Sequence, residues 1–159
     1  MAKTEIIAPP NVPQTTITRS FDAPRDLVFR AHTDPELLSR WLGPRDLTMA
    51  IDHYDVRDGG TYRYVHTDAH GHEFGFHGVF HGNPSPERIV QTFEFEGMPG
   101  HVSMETITLE ERYGRTVVHT VSSFQSVEDR DAMIAADMER GVRESGERLD
   151  DLLAKLQAG

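Results

Sequence analysis

The sequence predicts an α+β fold in which a seven-stranded antiparallel sheet wraps around a long C-terminal helix and encloses an internal cavity. Residues 47–124 alternate apolar and polar side chains with a period of two, which is typical of strands. Two short helical patterns precede this region, and an amphipathic helix with one apolar stripe follows it. The length of 159 residues fits a single domain, which we expect over residues 15–157.

Residues 1–14 contain Pro9, Pro10 and Pro13 and show no sustained period, which predicts a flexible N-terminal arm. Such an arm is free to dock on a neighbouring subunit. The first strand is expected over residues 15–21, where β-branched residues are frequent and side chains alternate.

Asp22 is expected to cap a first helix over about residues 24–32. A carboxylate accepts the free N–H groups of a first helical turn, and Pro24 suits that turn. A second helix over about 35–41 follows. Gly43-Pro44 ends it, because proline lacks a backbone donor and glycine relaxes the chain.

Six strands then form a meander over residues 47–124, with turn residues between them. The clearest hairpin pairs residues 102–112 with 115–124 across Tyr113-Gly114. With the strand before the first helix, the predicted sheet has seven strands. The other predicted turns are Asp58-Gly59-Gly60, residues 68–71, Asn83-Pro84-Ser85-Pro86 and residues 97–100.

The last predicted helix begins at Ser126, which forms a helix-start signature with Asp129, and it runs to about Leu156. Gly141 and Gly146 each cost about 1 kcal/mol relative to alanine, so close approach of another element or pocket space explains them. The apolar residues recur every three or four positions, which predicts one buried face. They are Ile134, Met138, Val142, Leu149, Leu152, Leu153 and Leu156.

Charge and composition exclude several classes of function. The chain carries 26 acidic against 16 basic residues, and its net charge of −10 opposes binding to nucleic acid and to anionic membrane surfaces. The absence of cysteine excludes a disulfide framework, a thiolate metal site and a cysteine nucleophile. No stretch approaches the roughly 20 apolar residues that span a bilayer, so we expect a cytoplasmic protein.

Nine histidines are an unusual feature of this composition, and several surround one turn. A divalent metal ion could bind there, because imidazole and carboxylate are both metal ligands. The spacing matches no closed-site signature, so an exposed polar turn is the favoured interpretation, and we expect neither a metal nor a cofactor. The residues of this turn are His66, Asp68, His70, His72 and Glu73.

Three further histidines, His77, His81 and His119, alternate with valines on the predicted outer face of the sheet. Solvent or a subunit contact suits His77 and His81 better than catalysis. A purely solvated face does not require such a mixture of apolar and titratable side chains. This face is therefore a candidate surface for a homodimer.

The polar residues inside the predicted cavity are the candidates for chemistry. Gln91, Glu105 and Ser122 each interrupt an apolar row. An inward Glu105 needs a partner or a raised pKa, because a buried unpaired carboxylate is costly; the alternative is an exposed strand end. The aromatic candidates suit an ordinary core as well as ligand contact. The full set of candidate ligand-binding residues is Trp41, Met49, Ile51, Tyr62, Tyr64, Phe74, Phe76, Gln91, Phe93, Glu105, Ser122, Met138, Val142 and Gly146.

Six segments in a fixed order carry a family resemblance. They are Phe21-Asp22-Ala23-Pro24-Arg25, Thr33-Asp34-Pro35-Glu36, Trp41-Leu42-Gly43-Pro44, Asp55-Val56-Arg57-Asp58-Gly59-Gly60, Pro86-Glu87-Arg88-Ile89-Val90 and Met138-Glu139-Arg140-Gly141-Val142-Arg143-Glu144-Ser145. Together they resemble bacterial proteins similar to the C-terminal domain of the activator of the heat-shock chaperone ATPase. That group lies in the lipid-transfer-related helix-grip superfamily (START-like, SRPBCC), which includes the birch pollen allergen. The resemblance implies a β-α-α-β6-α fold with a cavity between the sheet and the last helix.

Three functions are compatible with the sequence. The first, which we expect, is binding of a hydrophobic or amphiphilic small molecule that aromatic side chains contact and a few polar groups orient. The second is a cyclase- or hydrolase-like enzyme that uses a cavity carboxylate or histidine as acid and base. The third is a module that interacts with a chaperone, since one fold serves many functions.

Overall fold

One antiparallel sheet and four helices make up residues 4–158, the part of the chain that the computed structural model describes. The strands are β1 (Thr4–Ile7), β2 (Gln14–Phe21), β3 (Thr48–Tyr54), β4 (Thr61–Thr67), β5 (Glu73–Val79), β6 (Arg88–Phe95), β7 (Val102–Arg112) and β8 (Arg115–Ser123). The helices are α1 (Arg25–Thr33), α2 (Pro35–Leu38), α3 (Val127–Ala135) and α4 (Met138–Ala158). The strand order is β1-β2-β8-β7-β6-β5-β4-β3, so β1 and β3 are the edges.

Strand β1 lies in the segment that the sequence predicts as a flexible arm, and it raises the expected seven strands to eight. It pairs with β2, and the loop after it contacts α3. There the buried Arg130 donates from Nη1 to the carbonyl oxygens of Pro9 and Val12. Four residues at a sheet edge show too little periodicity to be recognised. The first three residues of the predicted arm lie outside the described residues.

The two short helices lie where the sequence predicts them, but α2 ends at Leu38, three residues before the predicted end, and the expected cap of the first helix is wrong. The N-cap residue of α1 is Pro24, whose side chain forms no cap, and the N–H of Arg25 donates to Oε1 of Glu111 at 2.6 Å. Asp22 lies two residues too early to reach the first turn, and it pairs instead with Arg115 at 2.7 Å. In α2, Asp34 accepts a hydrogen bond from the backbone N–H of Glu36.

The single C-terminal helix that the spacing predicts is in fact two helices. Ser126 caps α3 as expected, because its hydroxyl accepts from the backbone N–H of Asp129 at 3.1 Å. After Ala135 the helix stops, and Asp137 has a φ of +65°, which a continuous right-handed helix does not allow. Ile134, expected on the buried face, is 40 % exposed as a consequence. Periodicity did not reveal the break, since the apolar spacing continues across it.

The apolar face of α4 packs on α1 and on the sheet. Leu149 is completely buried, and Leu152 and Leu153 are nearly so. They form one cluster with Val28 and Ala31 of α1. A second cluster occupies the other half of the sheet and consists of Tyr62, Tyr64, Phe80 and Ile89.

Two histidines of the outer face, His77 and His119, have local partners. His77 lies 2.8 Å from Oε2 of Glu96, which also accepts from Nε of Arg63 at 2.8 Å. Hydrogen bonds from Arg63 and then from His77 lower the pKa of Glu96 to about 2. His119 pairs with the hydroxyl of Thr18. These contacts lie within one chain, and the homodimer stays a prediction. None of the helices within residues 4–158 has the length and apolar character needed to cross a membrane.

Candidate functional site

A cavity of about 530 Å³ lies between the sheet and the pair α3 and α4. Apolar side chains form most of its wall. On the sheet side they include Ile17, Ile89, Ile107 and Val118, and on the helix side Met133, Met138, Val142 and Leu149. The cavity therefore occupies the space that the strand alternation and the apolar stripe of α4 enclose.

One row of polar side chains crosses this wall through four neighbouring strands. Thr15 of β2 lies opposite Ser122 of β8, Ser122 lies opposite Glu105 of β7, and Glu105 lies opposite Gln91 of β6. All four residues line the cavity. Neighbouring strands are about 4.8 Å apart, so the polar row extends about 14 Å across the sheet. The adjacent row consists of Ile17, Thr120, Ile107 and Ile89.

Glu105 is the ionisable member of the polar row. Its Oε1 accepts a hydrogen bond from Nε2 of Gln91 at 2.9 Å. Burial raises the pKa of Glu105, and the bond from Gln91 offsets that rise only in part. Glu105 lies within β7 and its half-buried side chain lines the cavity, so it is not at a strand end. Burial, followed by the charge of Glu105, also raises the pKa of Tyr62 and Tyr64.

Stacked aromatic rings form the wall beside the polar row. The ring centroids of Tyr64 and Phe76 lie 5.3 Å apart, and those of Phe76 and Phe93 lie 5.4 Å apart. The Tyr62 hydroxyl donates to the carbonyl of Thr92 at 2.6 Å, so its ring is fixed. These rings offer a flat apolar surface to a molecule in the cavity.

The loop around Gly43 closes another part of the cavity and is tied to α4. The Gly43 N–H donates to the Ser145 hydroxyl at 2.7 Å, and Arg148 donates to the Gly43 carbonyl at 3.1 Å. Gly43 has a φ of +103°, and a Cβ there would lie 2.8 Å from the His66 ring. Glycine is therefore required on both grounds. The hydrogen bond between Gly43 and Ser145 gives structural roles to two segments of the family resemblance, the one that ends at Pro44 and the one that ends at Ser145.

His66 lies in the cavity wall, apart from the exposed turn with which the sequence groups it. Its Nε2 is buried and has no hydrogen-bond partner within residues 4–158. Burial is the main cause that lowers the pKa of His66, so its ring is neutral at neutral pH. The alternation Tyr62, Tyr64, His66 along β4 is the signal that could have placed it here.

Arg19 was missed by the sequence reasoning and lies in the cavity wall, which also contains Arg140. It pairs with Asp150 through Nη2 at 2.5 Å and donates from Nη1 to Thr4 at 2.9 Å. Its Nε is buried without a partner among the described residues. Its guanidinium fills the space over Gly146, so close approach explains that glycine. The period of two along β2 places Arg19 on the same face as Thr15.

Most of the predicted ligand-binding residues meet around this cavity. The structure places Met49, Ile51 and Phe74 elsewhere. Met49 and Ile51 lie on the edge strand β3 and border a separate hollow next to α2. Phe74 contacts Phe95, with ring centroids 6.5 Å apart. The residues on the cavity wall are Trp41, Tyr62, Tyr64, Phe76, Gln91, Phe93, Glu105, Ser122, Met138, Val142 and Gly146.

The histidine-rich turn is organised by hydrogen bonds to one carboxylate. Asp68 accepts from the backbone N–H groups of His70 and His72, and its second oxygen lies 3.1 Å from the His72 ring. Within residues 4–158 no three histidine or acidic side chains come together in a way that could bind a metal ion.

Replacing Glu105 by glutamine is expected to weaken the pH dependence of stability. The folded-state pKa lies above the ordinary value of 4.5. The stabilising contribution of the protonated carboxyl is therefore complete below pH 4.5 and is lost as the pH rises through the folded-state pKa. At pH 8.5 we expect Glu105→Gln to be about 1–3 kcal/mol more stable than wild type, a gap that narrows toward acidic pH.

Urea denaturation across this pH range measures the difference. Glu110→Gln is the matched control, because Glu110 is an exposed carboxylate on the same strand. Parallel curves for wild type and Glu105→Gln would contradict the assignment of Glu105 as a carboxyl whose pKa is raised by burial.

A single antiparallel sheet around a C-terminal helix, with a cavity between them, defines a protein of the helix-grip, START-like class. The chain belongs to the family described as Activator of Hsp90 ATPase homolog 1-like protein, whose model matches residues 22–154. The resemblance identified in the sequence is thereby confirmed. No curated protein sequence matches the chain.

Solved structures share the fold over nearly the whole chain. A crystal structure from Rhodobacter sphaeroides is 26% identical, covers 97% of this chain and 99% of its own, and has a TM-score of 0.88. A solution structure from Arthrobacter aurescens is 26% identical, with coverages of 97% and 93% and a TM-score of 0.88. Protein CV1439 from Chromobacterium violaceum is 27% identical, with coverages of 89% and 96% and a TM-score of 0.79.

Proposed function

We propose that this protein binds a hydrophobic or amphiphilic small molecule between its sheet and the helices α3 and α4. The supporting observation is the cavity of about 530 Å³ with a mostly apolar wall and few polar groups. Small-molecule sites typically measure about 300–1,000 Å³ and have this composition. Apolar burial at about 25 cal/mol per Å² supplies affinity, and the polar groups supply orientation.

A Thr120→Phe variant tests this proposal. Thr120 lies on the cavity wall between Ile17 and Ile107, so a phenyl ring there fills the space that a ligand would use. The neutral apolar dye Nile red is the probe, and its fluorescence is titrated with protein. We expect Thr120→Phe to weaken dye binding at least about tenfold, the effect of losing a few contacts in an apolar pocket.

Thr108→Phe is the matched control for this experiment. Thr108 lies on the outer face of the same sheet, opposite Arg88 and His119. The Thr108→Phe variant should bind the dye with an affinity within about twofold of wild type, because surface substitutions away from a site have small effects. Equal dye binding by both variants would place the binding site outside the cavity.

Acid and base catalysis by Glu105 is the second candidate function. The observation that favours it is a buried carboxyl with a raised pKa beside the Gln91 amide, since such groups are frequent in active sites. Native mass spectrometry of the freshly purified protein separates the two functions. A binding protein retains its ligand unchanged, whereas an enzyme releases a ligand of altered mass.

A further inference from the structure

The polar row has a chemical character that restricts what can lie against it. It contains two hydroxyls, from Thr15 and Ser122, one amide from Gln91 and one carboxyl from Glu105. None of these four side chains carries a positive charge. The amide and the hydroxyls both donate and accept hydrogen bonds, and the carboxyl accepts them, which suits the neutral oxygen atom of a ligand.

We propose that the cavity takes an uncharged molecule whose hydroxyl or carbonyl oxygen lies against Glu105 and Ser122, with its apolar body on the stacked rings of Phe76 and Phe93. This inference rests on the proposed function and adds the chemical class of the ligand. The rings and the polar row share one wall of the cavity, so a single molecule can contact both.

A carboxylate ligand is disfavoured at this position. Two carboxyls in contact within an apolar cavity cannot both be ionised, so the ligand would have to be protonated or leave the polar row. Two arginines of the cavity wall, Arg19 and Arg140, could compensate such a charge. Arg19 lies four residues along β2 from Thr15, a separation of about 13 Å at the usual rise of a strand, and it is already paired with Asp150. Arg140 of α4 is already paired with Asp137 and Glu144.

An ammonium ligand is the competing occupant, because it would pair with an ionised Glu105 beside aromatic rings. Such a pair must compensate the loss of water around both charges, which requires further hydrogen bonds to each. One oxygen of Glu105 already accepts from Gln91, and the Tyr62 hydroxyl donates to Thr92. The hydroxyls of Thr15 and Ser122 can form hydrogen bonds with a neutral oxygen, and no charge then loses its water.

Four probes on one scaffold test the inference by calorimetry at pH 7.5. They are naphthalene, 2-naphthol, 2-naphthoate and 2-(aminomethyl)naphthalene. We expect 2-naphthol to bind at least about tenfold more tightly than the charged probes and several-fold more tightly than naphthalene, because only 2-naphthol satisfies the polar row. A carboxylate or amine that binds as tightly as 2-naphthol would overturn the inference.

Substitutions in the row then locate the preference. Glu105→Leu should reduce 2-naphthol affinity about tenfold while naphthalene affinity is retained, since only the oxygen loses a partner. Glu105→Gln keeps groups that form hydrogen bonds, so its affinity for 2-naphthol should stay close to that of wild type. The same is expected of the surface control Glu110→Gln. Equal loss for naphthalene and 2-naphthol would indicate a merely structural role and overturn the inference.

The experiment separates the inference from the function on which it rests. Tight binding of naphthalene and Nile red without preference among the oxygen-bearing and charged probes would contradict only the ligand class. Failure of every probe, Nile red included, would contradict the proposed binding function itself.

Discussion

Truncation of Leu149 to alanine is expected to lower the free energy of unfolding by about 2–5 kcal/mol, the usual cost of removing a buried leucine side chain. Leu149 is completely buried, and its cluster joins α4 to Val28 and Ala31 of α1. No side chain can easily move into the space, because Val28 and Ala31 are β-branched or short and fixed on a helix. Denaturant unfolding followed by circular dichroism measures the loss.

Ile134→Ala is the control for this prediction. The spacing of the sequence places Ile134 and Leu149 on one buried face, but the break between α3 and α4 leaves Ile134 40 % exposed. We therefore expect a loss below about 0.5 kcal/mol for Ile134→Ala. Similar losses of unfolding free energy at the two positions would indicate that Ile134 and Leu149 share one buried face, and would contradict the break between α3 and α4.

Local signals in the sequence predicted the elements that depend on local chemistry. The turn Tyr113-Gly114 joins β7 and β8 at the expected place, and both residues have positive φ, as a tight hairpin requires. The Ser126 cap also formed as predicted. Such features need only neighbouring residues, so a single sequence is enough to recognise them.

Features that depend on distant contacts were missed or misplaced. Strand β1 exists because the edge of β2 is available for pairing, which its own four residues do not indicate. His66 was assigned to an exposed turn, although the rings of Tyr64 and Phe76 lie 5.2 and 5.4 Å from it in the cavity wall. The alternation along β4 indicates the face on which His66 lies, but its burial depends on where α4 and the Gly43 loop pack.

Replacing Gly146 by alanine is the second substitution with a large expected effect. Helix propensity alone predicts a gain in stability, but the surroundings of Gly146 predict a loss. An alanine in an open helical position gains about 1 kcal/mol over glycine. At Gly146 a Cβ would lie 2.3 Å from Nη1 and 2.7 Å from Cδ of Arg19. That guanidinium is buried and bonded to Thr4 and Asp150, so it cannot move aside without breaking these bonds.

We expect Gly146→Ala to lose about 1–3 kcal/mol of unfolding free energy, since a displaced buried charge is left partly unpaired. Gly141→Ala is the matched control in the same helix. Its nearest neighbour, Cδ of Pro44, is 4.0 Å from the added Cβ, and the variant should gain up to about 1 kcal/mol. In an Arg19→Met background the flexible thioether can make room, so the cost of Gly146→Ala should shrink or change sign. A Gly146→Ala loss that is the same with and without Arg19 would show that the guanidinium is not the reason for this glycine.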